Sequence, residues 1–427
     1  MISRIEALGY RCLRYIHQDL GAFHVLVGPN ASGKSTFLDV LAFMSDVIFL
    51  GPDKAVSDRA PDFRDLVWLR QRDRFELAIE VQIPEDRRDK LRNGGYRRAR
   101  YELVVGVHDK SGEPTILAET FWLMAQEDGR PPQSAQRTFF PEPPIPPESI
   151  VRAGGRAPEG WKKIVNKVAD SGNDYFSSET SGWNNLFRLG PRKSALANLP
   201  EDETKFPVAT WFKEFLMLGV QRIMLNSQRM REPSPPRAPK EFLPDGSTLP
   251  WVVEKLAARH RRQFNDWIQH VRTALPELKT VRTVERSEDR HRYLVLEYQN
   301  GLEVPSWAAS DGTLRLLALT LLAYLPNVKG VFLIEEPENG IHPRAVETVF
   351  QSLSSVYGAH VVLATHSPVI LGIAKQQDVL CFARTLEGAT DIVRGSEHPA
   401  LRNWKGEVDL GTLFASGVLS EGPAHVG

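Results

Sequence analysis

The chain has 427 residues, 42% of them hydrophobic and 25% charged, and its 53 basic and 53 acidic side chains cancel to a formal net charge of zero. That length supplies cores for about two to three domains, while the charge balance excludes a surface coated for nucleic acid and the absence of any run of ~18 apolar residues excludes a membrane-spanning helix. Two distant cysteines, Cys12 and Cys381, and a start without a signal-peptide apolar core lead to an expectation of reduced core thiols and a cytoplasmic compartment.

The first element is an apolar strand, His24-Val-Leu-Val27, followed by Gly28-Pro-Asn-Ala-Ser-Gly33-Lys34-Ser35 and a helix-like stretch in which Phe37, Leu38, Leu41, Met44 and Ile48 keep a three-to-four spacing. Strand, GxxxxGK[ST] loop and helix form a phosphate cradle. Loop amides surround a phosphate, the helix start adds partial positive charge, the Lys34 ammonium bridges phosphates, and the Ser35 hydroxyl ligates Mg²⁺. Asn30, Ala31, Ser32, Gly33, Lys34, Ser35 and Thr36 are therefore the candidate phosphate-binding residues.

Three alternating runs follow at hairpin distances, at residues 75–83, 100–107 and 115–122, and predict an antiparallel sheet lobe. Seven prolines between residues 131 and 147 mark a stiff connector. It leads into an aromatic-rich stretch containing Trp161, Trp183, Phe187, Trp211 and Phe215, without a heptad run. Residues 126–217 are expected to form a compact insertion. Leu249, Val252, Val253, Leu256, Phe264, Trp267, Val271 and Leu275 then predict one long amphipathic helix, with an apolar face that belongs to the core. The arginine clusters Arg97-Arg98 with Arg100, and Arg259 with Arg261 and Arg262, read as solvated faces, with a nucleic-acid contact left open.

Tyr293–Tyr298 and Leu302–Val304 read as strands that lead to Ser310-Asp311-Gly312-Thr313, a polar turn opening a strongly apolar helix, and so a second helix-start anion site. Val331-Phe-Leu-Ile334 has the pattern of a strand buried on both faces and ends in Glu335-Glu336-Pro337-Glu338. Carboxylates at the C-terminal end of such a strand face the ligand crevice, so Glu335 is placed to hold Mg²⁺ and Glu336 to orient or deprotonate water. After Asn339-Gly340-Ile341-His342-Pro343, a third buried strand, His360–Ala364, delivers Thr365-His366-Ser367, where His366 can meet a γ-phosphate. Asp378–Ala383 reads as one more strand, and Leu410–Phe414 belongs to a short terminal extension.

The order phosphate loop, SDGT turn, LIEEPE, ENGIHP and ATHS resembles the ATP-binding cassette ATPases of the RecF, SMC and overcoming-lysogenization-defect type, of the variety called AAA family ATPases in bacteria. The resemblance implies an α/β ABC-ATPase head, a P-loop NTPase fold with a mixed sheet, an antiparallel β lobe and a compact, partly helical insertion. Its halves would be residues 1–125 and 218–427, separated by the insertion at 126–217. It implies ATP and Mg²⁺ as ligands, Glu336, Lys34 and His366 as the catalytic set, Ser35 and Glu335 on the metal, and an ATP-dependent homodimer in which Ser310 and Gly312 act in trans and Asn339 links the two sites. The glutamine that couples metal to lobe movement in such heads is Gln71, Gln82 or Gln228. The residues after His366 are too few for the nuclease domain some relatives carry there, so the implied role is a switch for a separate effector in prokaryotic antiviral defence. The alternatives are a RecF-like DNA repair or recombination ATPase and a nucleotide-binding assembly scaffold with little turnover.

Overall fold

The structure, a computed structural model, describes residues 2–92, 95–107, 112–125, 139–152, 157–401 and 409–419. Most of the proline-rich connector, residues 126–138, lies outside the described residues, as does Asn403–Glu407. The chain divides into two compact units, one made of Met1–Val220, Gln376–Lys405 and Gly417–Gly427 and the other of Gln221–Lys375 and Gly406–Ser416.

The first unit is built on an eight-stranded antiparallel sheet in the order Leu13–Asp19, Ile2–Tyr10, Arg74–Gln82, Arg98–Val107, Pro114–Met124, Trp161–Val168, Tyr175–Ser177 and Asn184–Leu186. The three strands expected from alternation sit in the middle. The aromatic-rich stretch continues the same sheet, because Trp161–Val168 pairs with Pro114–Met124, and it adds the helix Pro207–Glu214. The hairpin Ile2–Tyr10 with Leu13–Asp19 is not legible in the alternation, since Arg4 and Glu6 stand among its buried positions.

A cross-strand ladder explains those charges. Arg4 pairs with Glu80, Glu80 with Arg100, Arg100 with Trp122, and Trp122 with Lys163, so five strands put these side chains in one row. The Arg100 guanidinium, 1% exposed, donates to Glu6 at 2.6 Å, Glu80 at 3.0 Å, Glu102 at 2.8 Å and the Ile150 carbonyl at 2.9 Å. Burial works against its charge, yet Glu6, Glu102 and Glu80 together hold its pKa well above the usual arginine value. The reading of Arg100 as part of a solvated cluster is thus corrected: three carboxylates meet it within the sheet lobe. Glu102 also accepts from Thr120, Trp122 and the Arg152 amide, which ties the segment after the connector to the sheet.

Beside this lobe the first unit carries Phe23–Val27, which pairs parallel with Val379–Arg384, which in turn pairs antiparallel with Thr390–Arg394. Cys381 is fully buried there, and burial pushes its thiol up to about 12, leaving it inert; Cys12 is half-buried. The helix Lys34–Leu50 is fastened through Asp39, which accepts from Tyr10 at 2.6 Å and Arg59 at 2.8 Å.

In the second unit Gly330–Glu335 pairs parallel with Ala359–Ala364 in a register that sets Glu335 opposite Ala364, and Val220–Ile223 lies on the other side of Gly330–Glu335. A three-stranded antiparallel sheet, Leu278–Glu285, Arg292–Tyr298 and Glu303–Pro305, precedes the helix Asp311–Leu321. The single amphipathic helix expected over 249–275 is two helices, Leu249–Arg259 and Arg261–Ala274, joined at His260 with φ −134 and ψ 56. The joint coincides with exposed Arg259, Arg261 and Arg262, where no apolar side chain holds the next turn against the core. The stripe itself is in the core, with Trp267 fully buried and donating to Thr320 at 3.0 Å. No helix among the described residues is long and apolar enough to cross a membrane.

Because Arg100 is the shared partner of three buried carboxylates, Arg100→Ala leaves uncompensated charge in the lobe and is expected to lower the unfolding free energy by about 3–5 kcal/mol. Urea unfolding followed by tryptophan fluorescence measures this; a change below about 1 kcal/mol, the range of exposed pairs, would contradict it.

Candidate functional site

The first half-site is the loop after Phe23–Val27. Gly33 ends it with φ +105, and a Cβ there would lie 2.2 Å from the Thr390 hydroxyl, so only glycine fits. That hydroxyl donates to the Ser32 carbonyl at 2.9 Å, which makes Thr390 a prop of the loop that motif reading did not find. Asn30 and Ala31 are exposed at the tip, Ser32, Gly33 and Lys34 are buried, Ser35 is exposed and Thr36 half-buried. The Lys34 ammonium folds back to the carbonyls of Gly28 at 2.8 Å and Pro29 at 2.9 Å, closing the loop around itself. The Ser32 hydroxyl is buried without a hydrogen-bond partner among the described residues. A buried polar atom lacking a partner, a lysine held by replaceable carbonyls and the start of a 17-residue helix are what a phosphate group completes.

The second half-site lies at the C-terminal end of Gly330–Glu335. Glu335 accepts from Arg222 at 2.6 Å. Glu336 has φ +48, a left-handed conformation uncommon outside glycine and asparagine, fixed by its amide on the Ala364 carbonyl at 2.8 Å and by the Asn339 amide on its own carbonyl at 3.0 Å. The Asn339 side chain also donates to the Glu336 carboxylate. Glu338, which the motif reading passed over, accepts from the Thr365 hydroxyl at 2.6 Å and the His366 amide at 3.2 Å, so it positions the histidine segment. Its other carboxylate oxygen is buried without a partner among the described residues.

Ser310 caps the helix Asp311–Leu321, accepting from the Thr313 amide at 3.2 Å. A Cβ on Gly312 would lie 2.5 Å from the Gly340 carbonyl, so the Ser310 turn and the Asn339-Gly340 turn are packed backbone to backbone. Arg231 fastens the turn from a third side, with Asp311 at 2.5 Å and the Ala309 carbonyl at 3.0 Å. A cavity of about 850 Å³ in this unit is lined by Arg222, Gln228, Arg231, Glu335, Glu336 and Asn339. Of the three glutamines the sequence left open, Gln228 lines it; Gln71 and Gln82 belong to the first unit.

Among the described residues no group of three or more His, Cys, Asp or Glu side chains is arranged to hold a metal ion. Mg²⁺ does not require such a group, because it keeps several waters and takes one or two carboxylates with substrate phosphates. In the second unit the Glu335 carboxylate is a donor of the kind Mg²⁺ takes, paired in this structure with Arg222; in the first unit the exposed Ser35 hydroxyl is another such donor.

A phosphate loop at a helix start, two carboxylates at the end of a parallel strand and a histidine at the end of its neighbour make this an ABC-type ATPase head. Residues 23–372 match the family described as AAA domain, putative AbiEii toxin, type IV TA system, and the chain belongs to that family. Among solved structures it is similar to an Smc head bound to the C-winged-helix domain of ScpA, at 12% identity and TM-score 0.52 over 92% of this chain and 96% of that one, which shows the fold. An Smc head with an extended coiled coil bound to the C-terminal domain of ScpA from Pyrococcus furiosus aligns at 12% identity and TM-score 0.46, over 92% of this chain and 95% of that one. No curated protein matches the chain by sequence.

Gly312→Ala forces the two packed turns apart and is expected to destabilise the second unit by about 1–3 kcal/mol. Thermal unfolding reads the loss, and an unchanged midpoint would show that the two turns are not in contact.

Proposed function

We propose that the chain is a Mg²⁺-dependent ATP-hydrolysing switch, working as a homodimer that controls a separate effector in prokaryotic antiviral defence. What carries this reading is that a chain of this family presents a phosphate loop on one unit and, on the other, an acidic strand end beside a second capped helix start. An ABC-type dimer closes the phosphate loop and acidic strand end of one copy against the capped helix start of the other. Lys34 exchanges the carbonyls of Gly28 and Pro29 for β- and γ-phosphate oxygens, and the loop from Asn30 to Thr36 supplies amides. Ser35 and Glu335 would hold Mg²⁺, which would neutralise charge on the phosphates. Glu336, fixed by its strained backbone and by Asn339, orients water in line, and His366, positioned by Glu338, meets the γ-phosphate. Ser310 and Gly312 of the second copy cap that phosphate from the opposite side.

The family description, a putative toxin of a type IV system, supports a place in defence. Co-purification with the product of an adjacent gene, and loss of phage protection on Glu336→Gln, are expected, and undiminished protection would sink the defence role. Turnover stimulated by DNA, and lost on replacing Arg259, Arg261 and Arg262, would move the reading to a repair ATPase.

Glu336→Gln is expected to keep ATP binding, lose phosphate release by about 100-fold or more, and accumulate as a dimer in Mg-ATP. Light scattering with a phosphate assay tests this. Wild-type turnover in the variant would remove Glu336 from catalysis.

A further inference from the structure

The ion pair between Arg222 and Glu335 does more than neutralise a strand end. Arg222 reaches Glu335 at 2.6 Å from the neighbouring strand Val220–Ile223, and both side chains are partly solvated, at 43% and 28% exposure. Both line the same cavity of about 850 Å³ together with Glu336, so the guanidinium has open space beside it into which to swing. The contrast with Arg100 is instructive, since that guanidinium is enclosed by three carboxylates and has nowhere to go.

We propose that Arg222 holds the metal's place: it occupies the Glu335 carboxylate when no cation is bound and is displaced when one arrives. The proposal rests on the reading of Glu335 as a metal ligand. Glu335 and Glu336 both line the cavity at the strand end, and a tethered cation on Glu335 offsets part of that local negative charge without a metal. The same cation competes with the metal for one carboxylate oxygen. Arg222 therefore sets the metal concentration at which the head becomes competent, and its side chain is released into the cavity at that point. Because the pair is partly exposed, its strength is that of a screened surface pair, which makes the exchange reversible at modest cost.

The test is Mn²⁺ binding, read by electron paramagnetic resonance on the full chain with a non-hydrolysable ATP analogue, in wild type, Arg222→Gln, Arg222→Lys and Glu335→Gln. A fluorescent analogue reports nucleotide retention, and thermal midpoints confirm that each variant is folded. Arg222→Gln is expected to tighten Mn²⁺ binding by about two- to five-fold, with Arg222→Lys near wild type and nucleotide retention at saturating metal unchanged. Unchanged or weaker Mn²⁺ binding in Arg222→Gln, while Glu335→Gln loses affinity, would overturn the proposal and leave Glu335 as a ligand. Weaker nucleotide retention in Arg222→Gln at every metal concentration would overturn it by showing that Arg222 grips phosphate. If Glu335→Gln binds Mn²⁺ as wild type does, the underlying reading of Glu335 falls, and the proposal with it.

Discussion

The buried Lys34 ammonium is the interaction around which the first unit is arranged. A loop that curls its carbonyls onto a lysine needs a glycine at Gly33, a helix starting immediately after it, and a rigid floor. The floor comes from far along the chain: Val379–Arg384 pairs parallel with Phe23–Val27, and Thr390 both donates to Ser32 and binds the Cys12 carbonyl through its amide. Asp39 then pins the helix to Tyr10 and Arg59, so the helix start is held while its loop stays open to solvent at Asn30 and Ala31.

Charge is used in two ways in this molecule, and burial separates them. In the sheet lobe Arg100, Glu6, Glu80 and Glu102 are at most 1% exposed and every one has hydrogen-bonding partners, so losing one member strands the rest. At the second half-site the pairs Arg222 with Glu335 and Arg231 with Asp311 are partly exposed, and such pairs contribute on the order of 1 kcal/mol or less. The first kind fixes a sheet. The second kind, screened by solvent, can exchange partners at modest cost.

Much of this was legible because phosphate and metal chemistry impose spacing. The loop Gly28–Ser35, the turn at Ser310, the carboxylates after Ile334 and the histidine after Ala364 all stand where strand and helix patterns placed them. The hairpin at the start was hidden because Arg4 and Glu6 break the apolar pattern, and they do so for partners far along the chain, Arg4 for Glu80 and Glu6 for Arg100. Thr390, Arg222 and Arg231 were missed for a related reason: each acts through a contact that only the fold creates. Glu338 stood inside a recognised motif, and its role became visible only when its carboxylate was found on the Thr365 hydroxyl and the His366 amide. The break at His260 interrupts an unbroken apolar stripe, so periodicity alone could not mark it.

The central claim is that one copy's phosphate loop works with another copy's Ser310 turn, and complementation between inactive chains addresses it most directly. Lys34→Ala and Ser310→Arg chains are each expected to be inactive alone, whereas an equimolar mixture regains about a quarter of wild-type phosphate release, because half the dimers are mixed and each carries one intact composite site. A mixture as inactive as its parts, with mixed dimers shown to form, would place both residues on the same nucleotide within a single chain and contradict the account.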